Sequence, residues 1–384
     1  MTFDLEKIVR PKIYSLKPYC CARDDFTEGI LLDANENAWG PTQRELTKSN
    51  LNRYPDPHQI EFKTALADYR NRCSALSECG KVPPLTADNI CLGVGSDESI
   101  DAIIRATCVP GKEKILVMPP TYSMYSVCAN INDIEVVKCP LLVDDNSFQI
   151  DEYKVSELLL HDPLIKLVFI TSPGNPTGTK IEIDKIEYLL KNWETGIVVV
   201  DEAYIDFCGG STAPLVNQYP NLVTLQTLSK SFGLAGIRLG MTFANANLAH
   251  ILNAMKAPYN ISTITAEHGL NAMQAYNIEI MESNTRKVNE EKIRLLDALK
   301  SLNYVDDHHI GGLDANFILI RINKGDNVLA KKIYLRLATK YGVVIRFRGT
   351  ELGCQGCLRV TVGTREENDI LIQKFKETVN DLTK

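Results

Sequence analysis

A single lysine, Lys230, stands between two serines in the stretch TLSKSFGLAGIRLG (residues 227–240), with three glycines and Arg238 after it. Glycine lets backbone approach a neighbour closely, and Ser229, Ser231 and Arg238 are residue types that hold a phosphate. A surface lysine needs no such setting, so Lys230 reads as an amine held beside a bound phosphate. Polar residues of similar character recur upstream. Asp201 ends the apolar run GIVVVD, Asn175 lies in SPGNPTG, Tyr122 follows LVMPPT, and Gly93-Val94-Gly95-Ser96 precedes Asp97.

These residues matter together only if the chain brings them together. The runs KILVMPP, KLVFITSPGNPTG, GIVVVDEAY and LVTLQTLSK are rich in Val, Ile and Leu, too short for buried helices, and closed by Pro, Gly or polar residues. That is the pattern of strands in a mostly parallel sheet buried on both faces. Between them lie helical stretches such as DESIDAIIRATCV (97–109) and EIDKIEYLLKNW (182–193). The alternation predicts an α/β fold with a large domain over 36–262. A long helical stretch with possible breaks is expected over 264–303. The strands ANFILIRI, GVVIRF and CLRVTVG then predict a smaller α+β domain within 263–384.

In an open α/β sheet, ligands bind at the carboxyl ends of the strands. If these strands share one sheet, an amine, a carboxylate, an amide, an aromatic ring and a glycine-rich helix start face one cleft. An amine and a carboxylate on one ligand is the requirement of pyridoxal phosphate, whose aldehyde forms a Schiff base with lysine and whose pyridine nitrogen an aspartate keeps protonated. Taken singly, each residue has a plain structural explanation. Asp201 caps a turn, SPGNPTG is a Pro/Gly turn, Tyr122 packs, Arg238 is a helix-surface charge, and glycine-rich strand–helix turns also bind dinucleotides or nothing. Packing does not account for all of them at the ends of successive strands. A nicotinamide dehydrogenase is the other α/β reading, but no strand is followed by G-x-G-x-x-G with an acidic residue at the right distance.

Bulk properties close off other classes. At 384 residues the chain can bury a sizeable core, and a net charge of −6 without a basic run argues against a nucleic-acid partner. No apolar stretch reaches the roughly 18 residues of a membrane span. The opening MTFDLEKIVRPK has neither the apolar core of an export signal nor the character of a transit peptide. With eleven scattered cysteines, an odd number, the expectation is reduced thiols in the cytoplasm. Cys354 and Cys357 have metal-ligand spacing, but a zinc site wants a second pair nearby and none is present, so no metal is expected.

SPGNPTG, VVDEAYIDF and TLSKSFGLAGIRLG resemble the signature segments of the fold-type I pyridoxal-phosphate-dependent aminotransferases. Within these, LDANENAWGP, RYPDP, GVGSDESID, PPTYSMY and CLRVTVGTREEN resemble the histidinol-phosphate aminotransferases, over nearly the whole chain from Tyr19 to Asn368. The resemblance departs at Gln226, where many relatives carry a basic residue, and at Ala38, where proline is common. It implies a homodimer with shared active sites, and residues 1–35 as an N-terminal arm that also joins the small domain. It also implies roles for the matching residues. Lys230 would carry the cofactor, Asp201 pair with its ring nitrogen, Asn175 and Tyr204 bond its phenolate oxygen, and Tyr122 stack on its ring. Ser96, Asp97, Ser229 and Arg238 would hold its phosphate, with Tyr54 from the second subunit. Arg359 would take the glutamate carboxylate, and Asn35, Arg346 and Tyr19 would serve the phosphorylated substrate. The implied reaction joins L-glutamate and imidazole acetol phosphate to 2-oxoglutarate and histidinol phosphate, in histidine biosynthesis.

Overall fold

The computed structural model describes residues 3–18, 34–37, 50–73 and 82–382. Seven strands form the larger sheet: β1 (Ile90–Val94), β2 (Lys114–Val117), β3 (Glu135–Lys138), β4 (Ile165–Thr171), β5 (Ile197–Asp201), β6 (Leu222–Thr227) and β7 (Leu239–Ala244). Their order is β1-β7-β6-β5-β4-β2-β3. Only β7 runs against the rest, pairing antiparallel with both β1 and β6. The sheet is therefore mostly parallel, as the near-continuous apolar runs predict. Because β7 is reversed, its beginning lies at the edge where the other strands end, and Arg238 arrives there with it.

The period-2 geometry of a strand sends alternate residues to opposite faces. In β5, Val198 and Val200 join one core cluster while Ile197 and Val199 join the other. β4 repeats this with Val168 and Ile170 against Leu167 and Phe169. All these side chains are buried, each contributing roughly 1.5–3 kcal/mol relative to exposure. A charge at Val199 would break both the strand and its helix layer. The helix Gly95–Thr107 buries Ile100, Ile103, Ile104 and Thr107 against the sheet, the spacing of one apolar helix face. Its beginning follows β1 directly and so sits at the carboxyl edge. Residues 3–18 rest on the same layer, with Ile8 and Val9 buried in the cluster that holds Ile100 and Leu248.

A second sheet, with β8 (Phe317–Arg321), β9 (Arg346–Phe347) and β10 (Cys357–Thr361), has the order β8-β10-β9 and is antiparallel throughout. It packs with the helices Ala275–Lys300, Asn327–Tyr341 and Arg365–Leu382 around its own core. The helical stretch expected over 264–303 with possible breaks is two helices, Thr263–Ala272 and Ala275–Lys300, broken where Gln274 is extended at the N-cap of the second. The GVVIRF strand shrinks to Arg346 and Phe347. Only these two pair with β10, and Val344 before them is exposed.

Candidate active site

The carboxyl ends of β1, β4, β5 and β6 open on a cleft of about 450 Å³, closed on its far side by the small sheet. Ser96, Asp97, Tyr122, Asn175, Asp201, Tyr204, Ser229, Lys230 and Arg238 line it from the large sheet, and Arg346 and Arg359 from the small one. Two residues named from sequence are not brought there. Tyr54 is exposed and stacks on Tyr259 with ring centroids 4.6 Å apart. Asn35 is exposed beside Glu36, whose carboxylate accepts from the Tyr54 backbone N–H and from Arg53 Nη1, both at 2.7 Å. Tyr19 lies outside the described residues.

At one end of the cleft the backbone makes a tight nest. Gly95, at φ +72°, donates its N–H to the Arg238 carbonyl at 2.9 Å. A Cβ on Gly240 would lie 2.3 Å from Gly95 C and 2.4 Å from Ser96 N, so β7 and the helix start touch backbone to backbone. Arg238 itself takes φ +51°, a costly conformation for a side chain of its size and one found where function constrains the backbone. Its Nη2 lies 3.6 Å from Asp97 Oδ2, and Tyr122 donates to Asp97 Oδ1 at 3.1 Å. Thr227 Oγ1 donates to the Leu239 carbonyl at 2.9 Å and lies 2.8 Å from Ser229 Oγ. Free helix-start amides beside a guanidinium form an anion site.

In the middle, Lys230 is open to the mouth of the cleft yet crowded by protein. That crowding is the largest cause lowering its pKa, followed by Arg359 and Arg238, with Asp201 and Asp97 opposing. Its Nζ lies 5.6 Å from the centre of the Tyr204 ring. Asp201 is buried at the end of β5 and accepts from Tyr125 Oη at 2.8 Å and from the Ala203 N–H at 3.2 Å. Burial pushes its carboxyl up to about 6 against those hydrogen bonds, and Asp97 and Glu202 add to the rise. A buried carboxylate in this state favours a cation placed against it.

At the small-sheet end, Arg359 donates from Nη1 to Asn175 Oδ1 at 2.6 Å, and its guanidinium lies 5.0 Å above the Phe317 ring. Phe317 in turn meets Tyr204 edge-on at 5.3 Å. Arg346 is the register partner of Arg359 across β9 and β10.

Sequence reasoning passed over Tyr125, Thr171, Thr227 and Arg348. All but Tyr125 line the cleft, and Tyr125 reaches it through Asp201. Arg348 stands two residues after Arg346, the spacing of one strand face, and that was a usable signal. Tyr125 carried none, because its bond to Asp201 spans 76 residues. Cys354 and Cys357 are buried free thiols, one in the turn before β10 and the other at its first position. No cluster of three or more His, Cys, Asp or Glu suited to a metal occurs among the described residues.

Residues 25–375 match the family Aminotransferase class I and II. The chain is 71% identical to the histidinol-phosphate aminotransferase of Saccharomyces cerevisiae, covering 100% of this chain and 99% of that one. It is 51% identical to that of Candida maltosa, covering 99% of each. Its fold matches the solved histidinol-phosphate aminotransferase of Sinorhizobium meliloti in complex with pyridoxal-5'-phosphate, with a TM-score of 0.75 at 21% identity over 91% of this chain and 90% of that one.

Proposed function

This chain belongs to the class I and II aminotransferases, grouping there with the histidinol-phosphate aminotransferases, and we propose that it moves an amino group between L-glutamate and imidazole acetol phosphate. The products are 2-oxoglutarate and histidinol phosphate, a step of histidine biosynthesis. The observation that carries this reading is one cleft that holds Lys230, a buried Asp201, an anion nest at Arg238, and the arginines of β9 and β10.

The residues fit pyridoxal phosphate as cofactor. Asp201 is a buried carboxylate whose raised pKa a ring cation would lower. The helix start at Gly95 and Arg238 make a cradle in which a Cβ on Gly95 would lie 2.5 Å from Arg238 Nη2, and its donors suit a phosphate. When bound, the cofactor withdraws the electrons left on the substrate carbon after its proton departs. Ser96, Asp97, Ser229 and Arg238 would hold the phosphate, Tyr122 would face the ring, and Asn175 and Tyr204 would donate to its oxygen. Lys230 would anchor the cofactor and, once released, take the substrate proton at Nζ. A free lysine near its usual pKa of about 10.4 is almost all protonated at neutral pH, and crowding with Arg359 and Arg238 moves Lys230 toward the useful neutral form. Arg359 would receive the glutamate carboxylate, and Arg346, Asn35 and Tyr19 would serve the phosphate ester. Tyr54 would complete the site of a second subunit in a cytoplasmic homodimer.

Single-turnover mixing tests this reading. Histidinol phosphate and glutamate should each bleach the cofactor band, and aromatic amino acids and unphosphorylated histidinol should do so far more slowly. Borohydride should fix the label on the peptide that contains Lys230. Histidinol reacting as well as its phosphate ester, or label on another lysine, would overturn the assignment.

A further inference from the structure

We propose that Arg348 is a specificity residue, the cation that tunes the substrate end of the cleft to a phosphate dianion rather than a carboxylate. The inference rests on the reading of that cleft given above and adds a residue to which no role has been assigned. Arg348 lines the cleft with Arg346 and Arg359. After burial, Arg348 is the largest influence lowering the Arg359 pKa, ahead of Arg346, and it also acts on Tyr204.

The local backbone is built to hold it. The Arg348 N–H donates to the Cys357 carbonyl at 2.9 Å, extending the pairing of β9 with β10. Asn327 Nδ2 donates to the next carbonyl, Gly349, at 3.0 Å. Glu351 accepts from Arg348 Nη1 at 2.7 Å. The Nε atoms of both Arg348 and Arg359 are buried without an acceptor among the described residues.

Charge decides the preference. Arg346, Arg348 and Arg359 line this end of the cleft, and one carboxylate, Glu351, pairs with Arg348, leaving two positive charges there. Of the other charged groups of the cleft, Lys230 and Asp201 lie in its middle, and Asp97 pairs with Arg238 at the other end. A carboxylate leaves one of the two charges uncompensated. A phosphate ester, with a second pKa of about 6 and so mostly dianionic at neutral pH, balances both. Planar guanidiniums also match phosphate oxygens in pairs.

The test compares the wild-type holoenzyme with Arg348→Met and Arg348→Lys, using inorganic phosphate as a competitor of glutamate. Phosphate should inhibit the wild type, and inhibition should weaken roughly tenfold or more in Arg348→Met, with Arg348→Lys in between. The ratio of histidinol phosphate to glutamate half-reaction rates should fall by a similar factor. Wild type insensitive to phosphate, an unchanged inhibition constant in Arg348→Met, or equal loss for phosphate and glutamate would each overturn the proposal. Arg348→Lys keeps the charge and gives a reading even if the methionine variant folds poorly. A wild type that reacts with glutamate but ignores histidinol phosphate would defeat the proposed reaction, while the phosphate inhibition series would still decide for Arg348.

Discussion

Tyr125 donates its hydroxyl hydrogen to Asp201 at 2.8 Å, and its oxygen lies 2.9 Å from Thr171 Oγ1, which is itself 2.9 Å from Thr121 Oγ1. The carboxylate at the floor of the cleft is therefore held by a hydroxyl relay from two separate segments, residues 121–125 and the end of β4. Tyr125 stacks on Phe169 at 4.7 Å and is fully buried, which fixes the direction of its hydroxyl. Among the influences that oppose burial at Asp201, this bond is the largest.

Removing that bond should change when Asp201 is charged. Asp201 must be ionised to favour a cationic ring, and its carboxyl already titrates near 6. Tyr125→Phe keeps the ring stack and deletes the donor, so the carboxyl should rise further, by about one unit for one hydrogen bond to a charged group. Cofactor affinity, followed by absorbance titration against pH, should weaken as pH falls through about 6 in the wild type and at a higher pH in the variant. Superimposable profiles would show that the relay does not govern Asp201.

The same carboxylate gives a stability prediction of unusual sign. Its ordinary value is 3.8 and its folded value about 6, so between these the folded chain binds more protons than the unfolded one. Stability of the cofactor-free protein must then fall as pH rises through that window and level off above it. Asp201→Asn cannot ionise and escapes this loss. Urea unfolding at pH 7.5 should find the cofactor-free variant more stable, by on the order of 2–3 kcal/mol, with the gap narrowing below pH 6 and closing as pH is lowered past the ordinary value of 3.8. With cofactor bound the order should reverse. A variant less stable at pH 7.5 without cofactor would mean that Asp201 is not strained by its burial.

How much of this was legible in the sequence depends on the reach of each signal. Near-continuous apolar runs make β4 and β5 readable as strands from residues alone, and strand ends then locate Asn175, Asp201 and Lys230. The two-residue strand at Arg346 was overcalled, because GVVIRF is apolar enough for a strand but only its end meets a partner. Tyr125 was missed because what marks it is contact with a distant segment, whereas Arg348 carried a usable signal in its two-residue spacing from Arg346. Arg348 gains its meaning from Arg359 on the neighbouring strand, and Tyr125 from Asp201. Tyr54, expected to serve a second subunit, lies away from the cleft of its own chain.

Gly240 and Gly236 make a matched pair for the phosphate nest. A Cβ on Gly240 meets only backbone, at 2.3 Å from Gly95 C, so β7 and the helix start must part. Gly240→Ala should destabilise by about 3 kcal/mol or more and weaken cofactor binding through its phosphate. A Cβ on Gly236 meets nothing within 4 Å, and Gly236→Ala should stay within about 0.5 kcal/mol of wild type. Thermal unfolding and cofactor titration of both variants check this. Equal behaviour of the two would show that the close approach does not shape the nest.

Assembly can be tested through Tyr54, which stacks on Tyr259 at 4.6 Å and does not line the cleft of its own chain. If it serves the phosphate bound by a second subunit, each site takes Lys230 from one chain and Tyr54 from the other. A Lys230→Ala chain and a Tyr54→Phe chain are then each impaired as homodimers, but their heterodimer is not. One of its sites carries both lesions, and the other pairs an intact Lys230 with an intact Tyr54. Random exchange at equal amounts makes half the dimers mixed, so activity should recover to about a quarter of the wild-type value in a closed two-fold assembly. Recovery should follow subunit exchange in time and vanish when the chains are mixed without it. If Tyr54 acted on its own cleft, both sites of the heterodimer would keep one lesion and mixing would restore nothing. That result, or full activity in a preparation shown by light scattering to be monomeric, would refute the shared site.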